Sequence, residues 1–582
     1  MDQSASRANT LRMGIFEGFK KGYLFWSIFI FYAPLAFWAR FYFWENAILE
    51  PHPWRQTQTA LTILHLFQGT ATLWDYRSPL GGILWNNVYE FPLYQWVASL
   101  VMHLGLSLEV ASRLVTVLSF FTTGFFSYLI IKKILSREIA LWFTLVFLVN
   151  PFGVVFSRVC LIDFFALAAT LSSVYGLIKI RSNEATWSTW FLLATGGVIA
   201  GLAKINIWFF IYFASFVIVF GALLKQRQSQ QNKLIGLMIV TGLQCAIIFL
   251  WNYYRLMKVG SPADTPWLIG EFSQRLELWR WKKILWEFLV RSLFYDWLFV
   301  PFLIGTFQLF RKSRLIFTIV FFVFIAHTLV FFQVQTFHDY YLIACMPYLL
   351  LVAACGLNYL SSSETKTAKL IGSALLVIVI FKSFYLKYYY SPITHDYRVD
   401  LKPIYQLKNL TSKQDVVYWD AKQGRFEIAT YSQRNVGLSE TAHLIGKMTK
   451  QNELFYPSVF RFDSKPDFSM LSSNDLVWID GDESFFIYRT KSNDSFVFNP
   501  NEQLAVLDLA PQGKKVIPFV SSVENCTGEG SLLMNIPPRL TNLMVTPEGN
   551  AEGVLLPTDK PFVNLPSRGA FGCSFQISGQ EK

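Results

Sequence analysis

Charge is scarce in this chain. Of its 582 residues only 15% are Asp, Glu, Lys or Arg, against 53% hydrophobic and 17% aromatic, and the mean hydropathy is +0.35. A water-soluble body of that size needs more charge to cover its surface, so a soluble enzyme is excluded for most of the chain. Cysteine is also sparse: six residues exclude a small disulfide scaffold. There is no G-x-G-x-x-G, Walker A, H-E-x-x-H, G-x-S-x-G or C-x-x-C pair, and the seven histidines form no tight metal-ligand spacing. No internal repeat and no low-complexity tract is present. What is plentiful is long apolar runs, and they make this a polytopic α-helical membrane protein.

A spanning helix needs about 20 mostly apolar residues. Such runs lie near 24–44, 110–131, 138–153, 162–180, 189–204, 206–224, 234–253, 292–310, 315–333, 341–360 and 368–387. The stretch Phe91–Gly105 is apolar but short, and it decides the orientation of everything after it. If it lies along the surface, the N-terminus and the Lys132/Lys133/Arg137, Lys179/Arg181, Lys225/Arg227/Lys233, Arg311/Lys312/Arg314 and Lys366/Lys369 groups share one side. That side then holds 17 basic and five acidic residues of the membrane part, and the opposite side 15 and 12. The positive-inside rule makes the first side cytoplasmic. The expected location is the plasma (inner) membrane, multi-pass, and the long first apolar segment, lacking a small-residue cleavage site, reads as uncleaved.

The expected organisation is a cytoplasmic N-terminus (1–23), a membrane catalytic domain (24–390) and an extracytoplasmic globular domain (391–582). Residues 1–390 carry 32 Lys+Arg and 17 Asp+Glu, and residues 391–582 carry 19 and 22. The basic excess therefore belongs to the membrane half, where orientation explains it and a nucleic-acid surface does not. The C-terminal region has strand-like runs (DVVYWD, DLVWID, FFIYR) and a turn signal at Asp480-Gly481, and reads as a soluble α/β domain. Cys526 and Cys573 there pair or remain two free thiols, and Asn409, Asn493 and Asn525 head sequons. Two outer segments, about 45–109 and 254–291, do not span; residues 271–291 read as an interfacial helix.

Polar residues converge on this outer face. The first loop supplies Glu50, His52, Arg55, Gln56, Asp75, Arg77, Asn86, Asn87 and Glu90; later loops supply Arg158, Asp163, Lys204, Arg255, His338 and Asp339. Ionisable groups at membrane depth are functional candidates by default. For each taken singly, the bland reading is a side chain that snorkels or pairs locally, and Arg40 and Arg113 are assigned to it. Asp163 is the sharpest candidate, since it opens an apolar run; pairing with Arg158, five residues earlier, is its structural alternative. Glu90 precedes Phe91-Pro92 and has a helix-capping alternative. His338-Asp339 offers one metal ligand, but nothing in the sequence demands a metal or any other cofactor.

The order and common side of Arg55-Gln56-Thr57-Gln58-Thr59-Ala60, Glu90-Phe91-Pro92-Leu93-Tyr94, Arg158 with Leu161-Ile162-Asp163, Gly201-Leu202-Ala203-Lys204 and His338-Asp339-Tyr340-Tyr341 resemble the GT-C superfamily of polyprenyl-phosphate-sugar glycosyltransferases over residues 20–390. Within it, family 39 is most similar, with its protein O-mannosyltransferases and lipid A aminoarabinose transferase. The resemblance implies a polyprenyl-phosphate-linked sugar donor and a lipid, glycan or protein acceptor. Asp163 matches the family's second acidic position. The first departs, because His52-Pro53 stands where the family carries its acid, which leaves His52, Glu50 or Glu90 to serve.

A glycosyl phosphate is a good leaving group once cations hold it, and the acceptor then needs one base, which inverts the anomeric centre. On this reading Asp163 with Glu50 or His52 acts as base and acceptor orienter. Arg55, Arg158, Lys204 and Arg255 cradle phosphate, His338 sits at the pocket edge, and Gln56, Asp339 and Tyr340 also bind substrate. The alternatives are a lipid-linked polysaccharide polymerase or ligase and, further off, a transporter or flippase, which would distribute ionisable groups through the bilayer midplane.

Overall fold

The computed structural model describes residues 23–76, 78, 88–258 and 265–363, then shorter pieces between 370 and 581. The chain divides into two compact units, Met1–Tyr76 with Val88–Tyr397, and Arg77–Asn87 with Arg398–Lys582.

The first unit is helical. Its N-terminal part comprises α1 (Tyr23–Phe41), α2 (Pro53–Phe67), α3 (Leu93–Met102), α4 (Leu108–Ile134), α5 (Arg137–Val149), α6 (Pro151–Phe156), α7 (Asp163–Arg181) and α8 (Trp187–Ala203). There follow α9 (Ile205–Leu224), α10 (Arg227–Lys258), α11 (Thr265–Ile269), α12 (Leu278–Lys282), α13 (Phe299–Lys312), α14 (Arg314–Val330), α15 (Phe332–Phe337) and α16 (Met346–Ser362). Among the described residues, four helices are long and apolar enough to cross a membrane: α4, α7, α9 and the Gln230–Met257 part of α10. α3 has ten residues, about 15 Å, roughly half the hydrocarbon thickness of a bilayer.

Local chemistry sets these boundaries. Ser107 accepts the Val110 amide to cap α4, whose first turn carries Glu109 and whose last carries Lys132 and Lys133, both suited to the helix dipole. The run expected as one span over 138–153 is broken. Pro151 cannot continue α5, and Asn150 caps α6 through the Gly153 amide while donating to the Leu293 carbonyl. The run over 315–333 likewise breaks at Phe331, and the one over 341–360 starts as a 3₁₀ turn, Asp339–Ala344, before α16. The run at 368–387 falls outside the described residues. The single interfacial helix expected over 271–291 is instead a 3₁₀ turn (Phe272–Leu276), α12 and a π-helical stretch (Lys283–Leu293). Leu276, Leu278, Trp279 and Trp286 of that stretch are exposed.

Helices α13 and α16 cross at two glycines. A Cβ on Gly305 would stand 1.8 Å from the Val352 carbonyl oxygen, and one on Gly356 would stand 1.9 Å from that of Pro301. Small residues let apolar helices meet backbone to backbone where lipid offers no hydrophobic drive. At the ends far from the polar cluster described below, Lys133 pairs with Glu184 and Lys233 with Asn183.

The second unit contains a five-stranded sheet ordered β2-β1-β3-β5-β4, from β1 (Val416–Trp419), β2 (Asn435–Leu438), β3 (Val459–Asp463), β4 (Leu476–Asp482) and β5 (Phe485–Thr490). β1 pairs in parallel with β2 and β3, and β5 runs antiparallel to β3 and β4. Asp480-Gly481 is not a turn: β4 runs through it, pairing Asp480 with Ile487 and Gly481 with Phe486. Helix α17 (Phe426–Ser432) precedes β2, and a separate antiparallel sheet joins Val516–Glu524, Ser574–Glu581 and Leu565–Arg568. Cys526, Cys573, Asn409, Asn493 and Asn525 lie outside the described residues.

Candidate active site

Three buried arginines fasten the loops on which the site is built. Arg40, ending α1, donates to Ser157 Oγ at 3.0 Å and to the Leu148 carbonyl at 2.8 Å, tying the α6–α7 connection to α1. Arg113, in α4, donates to the carbonyls of Trp44, Asn46 and Arg158 at 2.6, 2.6 and 3.1 Å. Arg158 donates to the Ala39 carbonyl. Between Arg113 and Arg158 sits Glu50, with Oε1 3.4 Å from one guanidinium and 2.9 Å from the other. Glu50 and Arg113 are 1% exposed and Arg158 0%, and neither Glu50 oxygen is aligned for a hydrogen bond, so the attraction is ionic. Such a cluster serves as a brace for the loops, because a lone buried charge there would be strongly unfavourable.

Above the brace, His52 turns the chain into α2. It is the N-cap, in the left-handed region at φ 63°, with Pro53 fixing the first helical residue. Its carbonyl still accepts the Arg55 and Gln56 amides at 3.1 Å. For a non-glycine residue this conformation costs about 1 kcal/mol, and it aims the imidazole out of the helix. Nε2 lies 2.7 Å from Asp339 Oδ1, and the ring stands perpendicular to Tyr340 at 4.8 Å and to His338 at 5.4 Å. Gln56 stitches this turn to the next loop, donating to the Pro51 carbonyl and accepting the Cys160 amide at 2.9 Å.

Arg55, on the same helix, donates Nη2 to both oxygens of Glu90 at 3.0 Å and Nη1 to Gln58. Glu90 also takes Gln95 Nε2 at 3.2 Å, and its carbonyl accepts the Tyr76 hydroxyl. Burial works against the charge on Glu90, but Arg55 outweighs it and holds the carboxyl below its ordinary range. Burial likewise opposes the Arg55 cation, and Glu90 and Tyr340 more than restore it.

The third pair is the deepest. Lys204 is both the last cap of α8 and the first of α9, in extended backbone, so its side chain leaves the junction of two helices. Nζ lies 2.6 Å from Asp163 Oδ1, at the first residue of α7. The same ammonium sits 5.2 Å from the Tyr340 ring centre and 5.0 Å from that of Tyr341. Arg55 and Glu90 are also within electrostatic reach of the ammonium. Exposure rises from Asp163 (2%) and Lys204 (10%) through Arg55 and Glu90 (13% and 14%) to His52 and Asp339 (21% and 23%). The three pairs thus run from a buried floor to an open rim.

No family model matches this sequence, and no curated protein sequence does. Solved structures do match. ArnT from Cupriavidus metallidurans bound to undecaprenyl phosphate is similar with a TM-score of 0.53 and 13% identity, over 79% of this chain and 97% of that one. The same protein in its apo state gives 0.48 and 12%, over 75% and 93%. The archaeal oligosaccharyltransferase AglB from Archaeoglobus fulgidus, in complex with an inhibitory peptide and a dolichol-phosphate, gives 0.43 and 9%, over 78% and 70%. The chain shares its fold with that ArnT structure.

Within this fold, His52, Arg55, Glu90, Asp163, Lys204, His338, Asp339 and Tyr340 come together from five loops, while Gln56 only holds the turn that carries His52. Glu50 and Arg158 do not join them; they are sealed in the brace beneath. Asp163 and Arg158 do not pair with one another, because Glu50 takes the arginine and Lys204 takes the aspartate. Arg255 stands to one side, near Tyr76, with Nη1 3.4 Å from the Val88 carbonyl. Arg77, Asn86 and Asn87 lie outside the described residues. Tyr341 and Gln58 stand in the sequence only as motif members without a role, and Tyr76 and Gln95 carry no sequence signal, because the partners of all four are set only by the fold. Among the described residues, no group of three or more His, Cys, Asp or Glu is placed to hold a metal ion.

Proposed function

We propose that this chain is an integral membrane glycosyltransferase that moves a sugar from a polyprenyl-phosphate donor to a hydroxyl or amine of a lipid, glycan or protein acceptor, with inversion. The observation that carries this reading is the pairing of two desolvated cations, Lys204 and Arg55, each held by its own carboxylate where helix ends meet. Cations fixed this way meet the charge that develops on a departing phosphate without rearranging. Arg255 adds a third cation at the edge. The undecaprenyl phosphate bound to ArnT, which shares this fold, supports a lipid phosphate as the carrier.

Asp163 keeps Lys204 in place with Oδ1, while its buried Oδ2 has no hydrogen-bond partner among the described residues. The reading places the N-terminus in the cytoplasm, about eleven spans in the plasma (inner) membrane, and residues 391–582 outside as a soluble α/β domain. The basic groups at the helix ends opposite the site support this orientation.

Undecaprenyl phosphate binding by the purified full chain, followed by native mass spectrometry, tests the reading. Lys204→Ala and Arg55→Ala are expected to weaken binding about 10- to 100-fold each, since each removes a charge-assisted contact. A wild-type protein that does not bind this lipid, or variants that bind it equally well, would contradict it.

A further inference from the structure

We propose that His52 and Asp339 form the acid–base dyad of this enzyme, with His52 Nδ1 removing the proton from the acceptor. The inference rests on the glycosyltransferase reading above and names a residue pair for its proton transfer.

Four carboxylates compete for the role of base, and geometry eliminates or reassigns each. Glu50 is sealed between two arginines at 1% exposure, and no acceptor reaches it. Glu90 has both oxygens engaged by Arg55, which also lowers its proton affinity. Asp163 lies against an ammonium at the floor and serves Lys204. Asp339 is occupied by His52. The imidazole is the group left with an available lone pair. Because a carboxylate oxygen accepts, the proton belongs on the Nε2 that faces Asp339 Oδ1, and that tautomer leaves Nδ1 as the acceptor nitrogen, without a hydrogen bond among the described residues. This is the orienting arrangement that makes a histidine an effective base.

Position supports the assignment. The dyad is the most exposed of the three charged pairs, at the rim where an acceptor enters, while the phosphate-binding cations lie deeper. The Tyr340 ring bridges the two levels, 4.8 Å from the His52 ring and 5.2 Å from Lys204 Nζ. The groups facing His52 are Asp339, His338 and Tyr340, with Phe156 stacked at 6.1 Å. The left-handed backbone at His52 is what turns the ring toward Asp339.

The step balances. The acceptor's O–H or N–H proton passes to His52 Nδ1 as the acceptor atom bonds to the anomeric carbon. The bond from that carbon to the phosphate oxygen breaks, and its electron pair leaves with the polyprenyl phosphate. The imidazolium so formed is held by Asp339, which stays ionised.

The test uses purified full-length protein with two fractions extracted from cells lacking this gene, the polyprenyl-phosphate-linked sugars as donor and the envelope lipids, glycans and proteins as acceptor. Release of polyprenyl phosphate is read by mass spectrometry, and undecaprenyl phosphate binding is measured alongside. His52→Gln and Asp339→Asn are expected to bind undecaprenyl phosphate as wild type does while releasing product about 10²–10⁴-fold more slowly. Added imidazole is expected to restore part of the turnover of His52→Ala, which a structural role would not allow. Full turnover in His52→Gln overturns the dyad and leaves the glycosyltransferase reading standing. Binding and turnover lost together in His52→Gln also overturn it, making His52 a structural residue. A wild-type protein inactive in both assays overturns the reading beneath it.

Discussion

Lys204 Nζ lies 2.6 Å from Asp163 Oδ1, although 41 residues separate them and each opens a different helix. The pair therefore joins α7 to the α8–α9 junction as well as supplying charge. Asp163→Asn leaves a desolvated ammonium without its counter-charge, and transfer is expected to fall about 10- to 100-fold or more. The double variant Asp163→Asn/Lys204→Met removes the unpaired charge. It is expected to regain the thermal midpoint of the wild type but not its transfer. Recovery of both would make the pair purely structural.

Glu50 is expected to matter for folding and not for chemistry. Replacing it with Gln leaves Arg113 and Arg158 buried side by side with no anion, a change that destabilises by about 3–5 kcal/mol. Thermal unfolding in detergent checks this. A Glu50→Gln protein with an unchanged midpoint and no transfer would return Glu50 to the list of bases.

The sequence shows which loops hold the site, because ionisable residues flanking apolar runs stand out against so little charge. His52, Arg55, Glu90, Asp163, Lys204 and Asp339 are all legible that way. Their pairing is not. Asp163 and Arg158 are near neighbours in sequence, but the partner of each comes from a remote loop, and only packing decides which cation meets which acid. The same limit hid the breaks at Asn150, where a cap and Pro151 end the helix, and at Phe331, since hydropathy continues through both. Asp480-Gly481 shows the reverse error, a turn-forming dipeptide overridden by strand pairing with β5.

A pH effect follows from His338. Burial, helped by the neighbouring His52 and against the pull of Asp339, lowers its proton affinity from 6.5 to about 4. Between those values the unfolded chain binds a proton that the folded chain does not. This contribution to stability is therefore whole above 6.5 and is lost as pH falls toward 4. Thermal midpoints of the wild type are expected to drop across that window more steeply than those of His338→Asn. Parallel slopes would contradict the assignment.

The α13–α16 crossing gives a prediction independent of function. Gly356→Ala puts a methyl carbon 1.9 Å from the Pro301 carbonyl oxygen, so the helices must separate. Overpacking of this kind destabilises by about 1–3 kcal/mol or more, and Gly305→Ala is expected to act the same way. The loss is read as a lower unfolding temperature in detergent. Wild-type stability in both variants would show that these helices do not cross so closely.

Transfer of a sugar from a polyprenyl phosphate is read most directly by comparing cells with and without this gene. Mass spectrometry of their lipids, glycans and proteins is expected to show one sugar modification missing in the deletion, with its polyprenyl-phosphate-linked precursor accumulated. Restoring the wild-type gene should reverse both changes, and restoring Lys204→Ala should reverse neither. An unchanged complement of sugars together with no accumulated lipid-linked precursor would contradict the account.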